Sequence, residues 1–219
     1  MTIAARTIIE NTQEVLNDHR GVRYPASLLV RYLNQSQRDT INHRPDVTAT
    51  SANFALAEGD EQTLPPEASS LIDIPSHATG RKARITKTPL NKLDAVDPFW
   101  RSQNKVGEIL HFCYDPRDSR TFYTYPPAIA GTLVRLQYSA YPTDVPAPSG
   151  NGKEASTVTG VISLADKWQS ALEAFVLGYA YKKDIEGAGN MDASLHYIQL
   201  GMSILGVQLQ VEKAIGPRD

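Results

Sequence analysis

Residues 97–141, DPFWRSQNKVGEILHFCYDPRDSRTFYTYPPAIAGTLVRLQYSAY, predict three consecutive β-strands and therefore decide the fold. In the first and third strands, apolar residues alternate with polar or small ones, which is the period of a strand with one buried face. These alternating residues are Leu110, Phe112, Tyr114, Val134, Leu136 and Tyr138. The second strand, residues 121–125, is β-branched and aromatic, and Pro126 and Pro127 should end it because proline cannot donate to a ladder. We expect these strands to form an antiparallel sheet.

On either side of the β segment the sequence changes to a helical period. Apolar residues recur at three- and four-residue steps within residues 1–44 and again within residues 163–213, which predicts two helices in each range. In the last helix the seam residues are Met191, Leu195, Ile198, Met202, Leu205 and Leu209. Their regular spacing predicts packing along another helix, either in an intramolecular bundle or in an intermolecular coiled coil.

Together these patterns predict an α+β protein. We expect a four-helix bundle from the N- and C-terminal helices, with an antiparallel β section inserted at about residues 52–141. We expect residues 1–219 to form a single domain, because chain termini commonly lie close together. Residues 142–159 are rich in Pro, Gly, Ser and Thr, so we expect a mobile loop there that is dispensable for folding.

The sequence offers no catalytic centre. The spacing typical of a nucleophile elbow, a phosphate loop or a metal-ligand cluster does not occur, and the five histidines are scattered. Cys113, the single cysteine, lies among apolar strand residues and should be a buried, inert thiol. We therefore expect neither enzyme activity nor a cofactor. No apolar run reaches membrane-spanning length, so we expect no membrane partner.

One cluster of basic residues stands out in a chain whose net charge is only −2. It consists of Arg81, Lys82, Arg84, Lys87 and Lys92, within a stretch that contains no acidic residue. Such a cluster is either a solvated loop and strand face or a contact for DNA or an acidic partner. The overall charge gives no sign of bulk nucleic-acid affinity, which normally needs a strong basic excess.

Several motifs also resemble a known family. After Trp100, the motifs GEILHFCYDPRD, TFYTYPP and LQYSAYPTDV follow in order. Outside this segment are RYLNQSQRDTINHRPD, LAEGDEQTLPPEASSLIDI and the closing stretch ADKWQSALEAFVLGYAYKKDIEGAGNMDASLHYIQLGMSILG. In this order they resemble the head-to-tail adaptor (connector) proteins of tailed bacteriophages, especially the short-tailed type. The resemblance covers most of residues 28–206.

The resemblance implies a structural virion protein. It implies a twelve-fold ring of this chain below the portal protein, with tail nozzle or tail-fibre proteins attached on the far side. Genomic DNA would pass through the ring at ejection without specific binding. The protein would be assembled in the host cytoplasm and reside at the head–tail interface.

The C-terminal end is a candidate portal-binding segment. The apolar seam stops near residue 210, and adaptors of this family use their C-terminal end to clasp the portal. The candidate residues are Val211, Glu212, Lys213, Ile215 and Arg218. Two alternatives stay open: a head-completion or neck protein of a long-tailed phage, and a nucleic-acid-binding module that uses the tyrosine-bearing sheet.

Overall fold

The computed structural model describes residues 3–80, 83–183 and 188–215 and divides the chain into two compact units. One unit comprises Met1–Val47 with Pro142–Asp219, and the other is Thr48–Tyr141. The α-helices are α1 (Ala5–Val15), α2 (Ala26–His43), α3 (Leu90–Val96), α4 (Gln169–Lys183) and α5 (Ala188–Ile215). The strands are β1 (Ala49–Ala55), β2 (Gly59–Thr63), β3 (Ala68–His77), β4 (Thr86–Lys87), β5 (His111–Tyr114), β6 (Thr121–Ala128) and β7 (Leu133–Ala140).

The prediction of a four-helix bundle with an inserted antiparallel β section is wrong. The described residues form five α-helices and two sheets of three and four strands. In the helical unit, α4 is the common neighbour of α1, α2 and α5. The fifth helix, α3, lies between β4 and β5 in the chain, and β4 pairs with β5 in parallel, so that sheet is mixed.

Residues 142–159 contribute buried side chains to the helical core, although their composition predicts a mobile loop. Val145, Ala155 and Val158 are all buried in the same apolar cluster as α1, α2 and α4. The side chain of Asn34 on α2 holds Val145 at both backbone groups: its Nδ2 donates to the Val145 carbonyl at 3.0 Å, and its Oδ1 accepts from the Val145 N–H at 2.8 Å. Buried apolar side chains and paired backbone groups therefore fix this segment despite its polar composition.

The same segment also caps α2. The N–H groups of Ala26 and Ser27 donate to the carbonyls of Lys153 and Gly152 at 3.0 and 2.9 Å. The first N–H groups of a helix have no partner within the helix, so these carbonyls satisfy donors that would otherwise need water.

In the β unit, apolar side chains from both sheets form one buried cluster. The strand orders are β1-β7-β3 and β2-β6-β5-β4. The three strands predicted from residues 97–141 are present as β5, β6 and β7, but the expectation that they share one sheet is wrong. After β6 the chain turns at Gly131, whose φ is +83°, and its N–H donates to the carbonyl of Leu56 beside β1. This turn leads β7 into the other sheet.

Glycine sets the distance between α4 and α5. A Cβ built on Gly178 of α4 would lie 2.7 Å from Cγ1 of Ile198, and one on Gly201 of α5 would lie 2.9 Å from Cε1 of Phe175. Ser194 Oγ also donates to the Gly178 carbonyl at 2.8 Å across the helix pair. The two helices therefore approach each other over small residues, and the face of α5 turned to α4 carries Ser194, Gly201 and Leu205, all buried.

Replacing Gly201 with alanine should destabilise the protein. Overpacking against the Phe175 ring costs about 1–3 kcal/mol, which exceeds the gain of up to about 1 kcal/mol from the better helix propensity of alanine. Gly206→Ala is the matched control, because it lies on the same helix with no atom within 4 Å of the added Cβ. Urea unfolding should show Gly201→Ala less stable and Gly206→Ala equal to or more stable than the wild type. Equal stabilities of the two variants would contradict close α4–α5 packing.

Candidate partner-binding surfaces

The end of α3 and the residues that follow it, 94–101, are anchored in the β unit by Trp100. Trp100 is fully buried, and its Nε1 donates to Oδ1 of Asp94 at 2.8 Å. Nη1 of Arg101 donates to the same oxygen at 2.8 Å, and its guanidinium carbon lies 4.4 Å from the centroid of the Trp100 ring. The hydrogen bond from Trp100, together with that from Arg101, lowers the pKa of the Asp94 carboxyl below its ordinary value. The Asp94 carboxyl therefore connects α3 to both Trp100 and Arg101.

This anchored segment presents two large apolar side chains to solvent, Val96 and Phe99, each 77% exposed. Val96 also lines an open cavity of about 260 Å³ together with His111 and Tyr125. Exposed apolar side chains on an anchored segment, beside an open cavity, are typical of a protein–protein contact. Val96 and Phe99 form what we call the α3 surface. The α3 surface was not predicted from the sequence, although the apolar residues on both sides of Asp97 and Pro98 were a usable signal.

A second apolar surface lies on α5 in the helical unit. Met191, Leu195 and Met202 are 46%, 47% and 38% exposed, so of the two alternatives for the seam, packing in an intramolecular bundle does not hold for these three side chains. Among the described seam side chains, two contact the core: Leu205 and the half-buried Ile198. The face of α5 that packs on α4 is the face with the small residues, so the other seam residues point partly to solvent. Met191, Leu195 and Met202 recur at helical spacing and form what we call the α5 stripe.

The basic cluster is spread over several elements. The backbone of Arg84 forms an isolated antiparallel β-bridge with Ser76. Lys87 lies in β4 and Lys92 in α3. The three basic residues are exposed. The ammonium of Lys87 lies 5.7 Å from the centroid of the Tyr114 ring. Arg81 and Lys82 lie outside the described residues. A DNA or acidic-partner contact at this cluster stays a prediction.

The candidate portal-binding residues belong to the end of the chain. Val211, Glu212, Lys213 and Ile215 lie within α5, which continues to Ile215. Their side-chain placement and Arg218 lie outside what the structure describes. Portal binding by this segment also stays a prediction.

The titratable groups form structural contacts. Among the described residues, no group of three or more His, Cys, Asp or Glu side chains is arranged to hold a metal ion. Cys113 is buried, and burial raises the pKa of its thiol. Asp115 pairs with Arg117 at 2.7 Å in the exposed β5–β6 turn, and hydrogen bonds from Arg117 lower the pKa of Asp115 to about 2. Across the residues with described placement, none of the helices is both long and apolar enough to cross a membrane.

Exposed apolar side chains on both units are typical of a protein that works by binding other proteins. The chain belongs to the SU10 adaptor protein family, whose family model matches residues 3–217. This match confirms the resemblance to phage head-to-tail adaptors, a family of structural virion components. A search of curated proteins found no match to the chain.

Proposed function

We propose that this chain is the subunit of a ring that joins the portal to the tail of a phage particle. The family match over residues 3–217 carries the proposal. In this role each subunit binds the portal on one side, tail nozzle or tail-fibre proteins on the other, and its own copies laterally. The resemblance to short-tailed phage adaptors supports twelve copies at the head–tail interface, assembled in the host cytoplasm.

A closed ring needs two different lateral surfaces on each subunit, because surface A of one copy must meet surface B of the next. The α3 surface and the α5 stripe supply two such surfaces of different composition, and we assign them to the lateral contact. Both carry apolar side chains that are 38% to 77% exposed, so their burial between copies would stabilise the ring.

Genomic DNA passes through the lumen of this ring without binding tightly to it. A net charge of −2 supports this part of the proposal, since tight non-specific DNA binding relies on many basic side chains that neutralise phosphates. Weak electrostatic attraction lets the genome move through the ring at ejection.

Sedimentation of the purified protein, alone and mixed with its cognate portal, tests the proposed function. With portal we expect a complex that contains as many copies of this chain as of the portal subunit. Phe99→Ser and Leu195→Ser should each remove the complex or lower its copy number. Val22→Ser is the matched control, because Val22 is 76% exposed but belongs to neither surface. If Phe99→Ser and Leu195→Ser leave the portal complex unchanged, the assignment of these surfaces to the lateral contact is contradicted. If the wild-type protein forms no complex with portal, the adaptor role is contradicted.

Truncation after Gln210 should remove portal binding while leaving the fold intact. The motivation is the family's use of the C-terminal end as a clasp, together with an apolar seam in the sequence that stops near residue 210. We expect an unchanged melting temperature and no co-sedimentation with portal. Full binding by the truncated protein would place the portal contact elsewhere on the chain.

A further inference from the structure

Of the four edges that end the two sheets, three are blocked against pairing with another strand. β3 contains Pro75 and three register shifts, and the N–H of Ile85 already donates to the Pro75 carbonyl at 3.3 Å. β2 carries Asp60 and Glu61 beside a register shift. β4 has only two residues, one of them Lys87. Proline, charge, irregular register and short length are the usual devices that protect an edge strand.

The fourth edge, β1, carries none of these devices. Its seven residues, ATSANFA, include no charge and no proline. Its pairing with β7 runs without a register shift from Ala49 opposite Ser139 to Ala55 opposite Leu133. A straight, uncharged edge of this length is a ready template for another strand.

The register shows which backbone groups of β1 are available. The N–H of Leu56 donates to the Thr132 carbonyl at 2.9 Å. In an antiparallel ladder every second residue is hydrogen-bonded to the partner strand. The backbone groups of Phe54 and Ala52 therefore also face β7. On the opposite side of β7, the Leu133 carbonyl accepts from Ala78 beyond β3, which agrees with this alternation. The N–H groups of Ser51, Asn53 and Ala55 therefore point away from the sheet, and all three residues are exposed.

We propose that β1 is a docking edge for an extended segment of a different protein chain, which adds to the sheet as a fourth strand. A second copy does not fit this role. Pairing of β1 with β1 would give a closed two-fold dimer rather than a ring, and the other edges of the same chain are blocked. The occupant is therefore a strand from another component of the particle.

The side chains of β1 define the chemistry of this segment. On the core side, Ala52 and Phe54 are half-buried against the apolar cluster, and the Phe54 ring lies 6.4 Å from the Phe122 ring. A strand laid beside them would place apolar side chains there, because neighbouring strands pair their side chains face by face. On the other side, Ser51 and Asn53 favour small polar, uncharged neighbours. The segment is an alternation of apolar and uncharged polar residues without proline.

A seven-residue peptide of alternating valine and threonine is a suitable probe. Its binding to the full-length protein is followed by amide hydrogen exchange and NMR titration. We expect exchange at Ser51, Asn53 and Ala55 to slow on peptide addition, while the already bonded amide of Phe54 changes little. Asn53→Lys should weaken peptide binding about tenfold or more by placing a charge on the edge. Asn53→Thr is the matched control, because it changes the same exposed position without adding charge, and it should bind as well as the wild type.

Three results would overturn the proposal. The first is no slowing at Ser51, Asn53 and Ala55 with peptide at about 1 mM, the level at which even weak complexes form. The second is equal binding by Asn53→Lys and Asn53→Thr. The third is protection of these amides in a dimer of the free protein, which would make a second copy the occupant. The choice of a different chain as the occupant rests on the proposed ring, whereas the open edge of β1 does not. Portal binding and peptide binding are measured separately, so each can fail alone.

Discussion

Replacing Val145 and Val158 together by serine should lower the free energy of unfolding by about 3–6 kcal/mol, at 1.5–3 kcal/mol for each fully buried valine. Both side chains are buried in the core formed with α1, α2 and α4. Serine removes apolar area and also leaves hydroxyls that need partners in a core. The loss is large relative to the 5–15 kcal/mol that usually holds a domain together.

The matched control is the double variant Ala147→Ser with Thr159→Ser, two exposed positions in the same segment. Surface changes of this kind usually stay within about 0.5 kcal/mol. Urea unfolding followed by circular dichroism measures both variants. A core variant as stable as its control would mean that residues 142–159 are a linker, as their composition first indicated.

The second large effect is expected at Trp100. Trp100→Ala should destabilise the β unit by about 3–5 kcal/mol, the range for truncating a large buried aromatic side chain. Trp100 is fully buried against Leu93 and Cys113, and its ring packs edge-on to Tyr123 and Tyr125. Its loss would also remove one donor from the Asp94 carboxylate.

Phe99→Ala is the control for Trp100→Ala, because the two residues are adjacent but Phe99 is 77% exposed. We expect it to change stability by less than about 0.5 kcal/mol. Amide hydrogen exchange in β6 is the measurement, since it reports opening of the β unit alone. Similar protection in both variants would contradict the anchoring of the α3 surface by Trp100.

Local patterns in the sequence predicted the elements well. Alternation marked β5 and β7, but the expectation that Pro126 and Pro127 end the second strand is wrong, because β6 continues to Ala128. Pairing between strands is not local, which explains why β7 was predicted in the wrong sheet. Nothing in residues 133–140 indicates that β1 and β3, rather than β6, are their neighbours.

The remaining errors have a common physical cause. Whether a residue is buried depends on what packs against it. Small residues such as glycine and serine can form a packed helix face that a search for large apolar residues does not detect. Gly178 and Gly201 bring α4 and α5 so close that the face of α5 turned to the core shifts toward Ser194, which left Leu195 exposed. In residues 142–159, three sparse apolar side chains join the core. Asn34 holds the backbone of Val145, and the first N–H groups of α2 hold the carbonyls of Gly152 and Lys153.

The candidate surfaces were predictable only in part. The motifs that resemble phage adaptors predicted the family, which the match over residues 3–217 confirms. The sequence could point to apolar residues near Asp97 and Pro98 and along α5, but only the structure shows which of these side chains are exposed. The basic cluster and the C-terminal segment remain predictions.

Electron cryomicroscopy of the portal vertex in the phage particle that carries this chain tests the central claim most directly. The proposed function predicts a ring of this chain directly below the portal, with the same rotational symmetry as the portal and the α3 surface of each copy against the α5 stripe of the next. A vertex without this chain, or with this chain as isolated copies that do not close a ring, would contradict it.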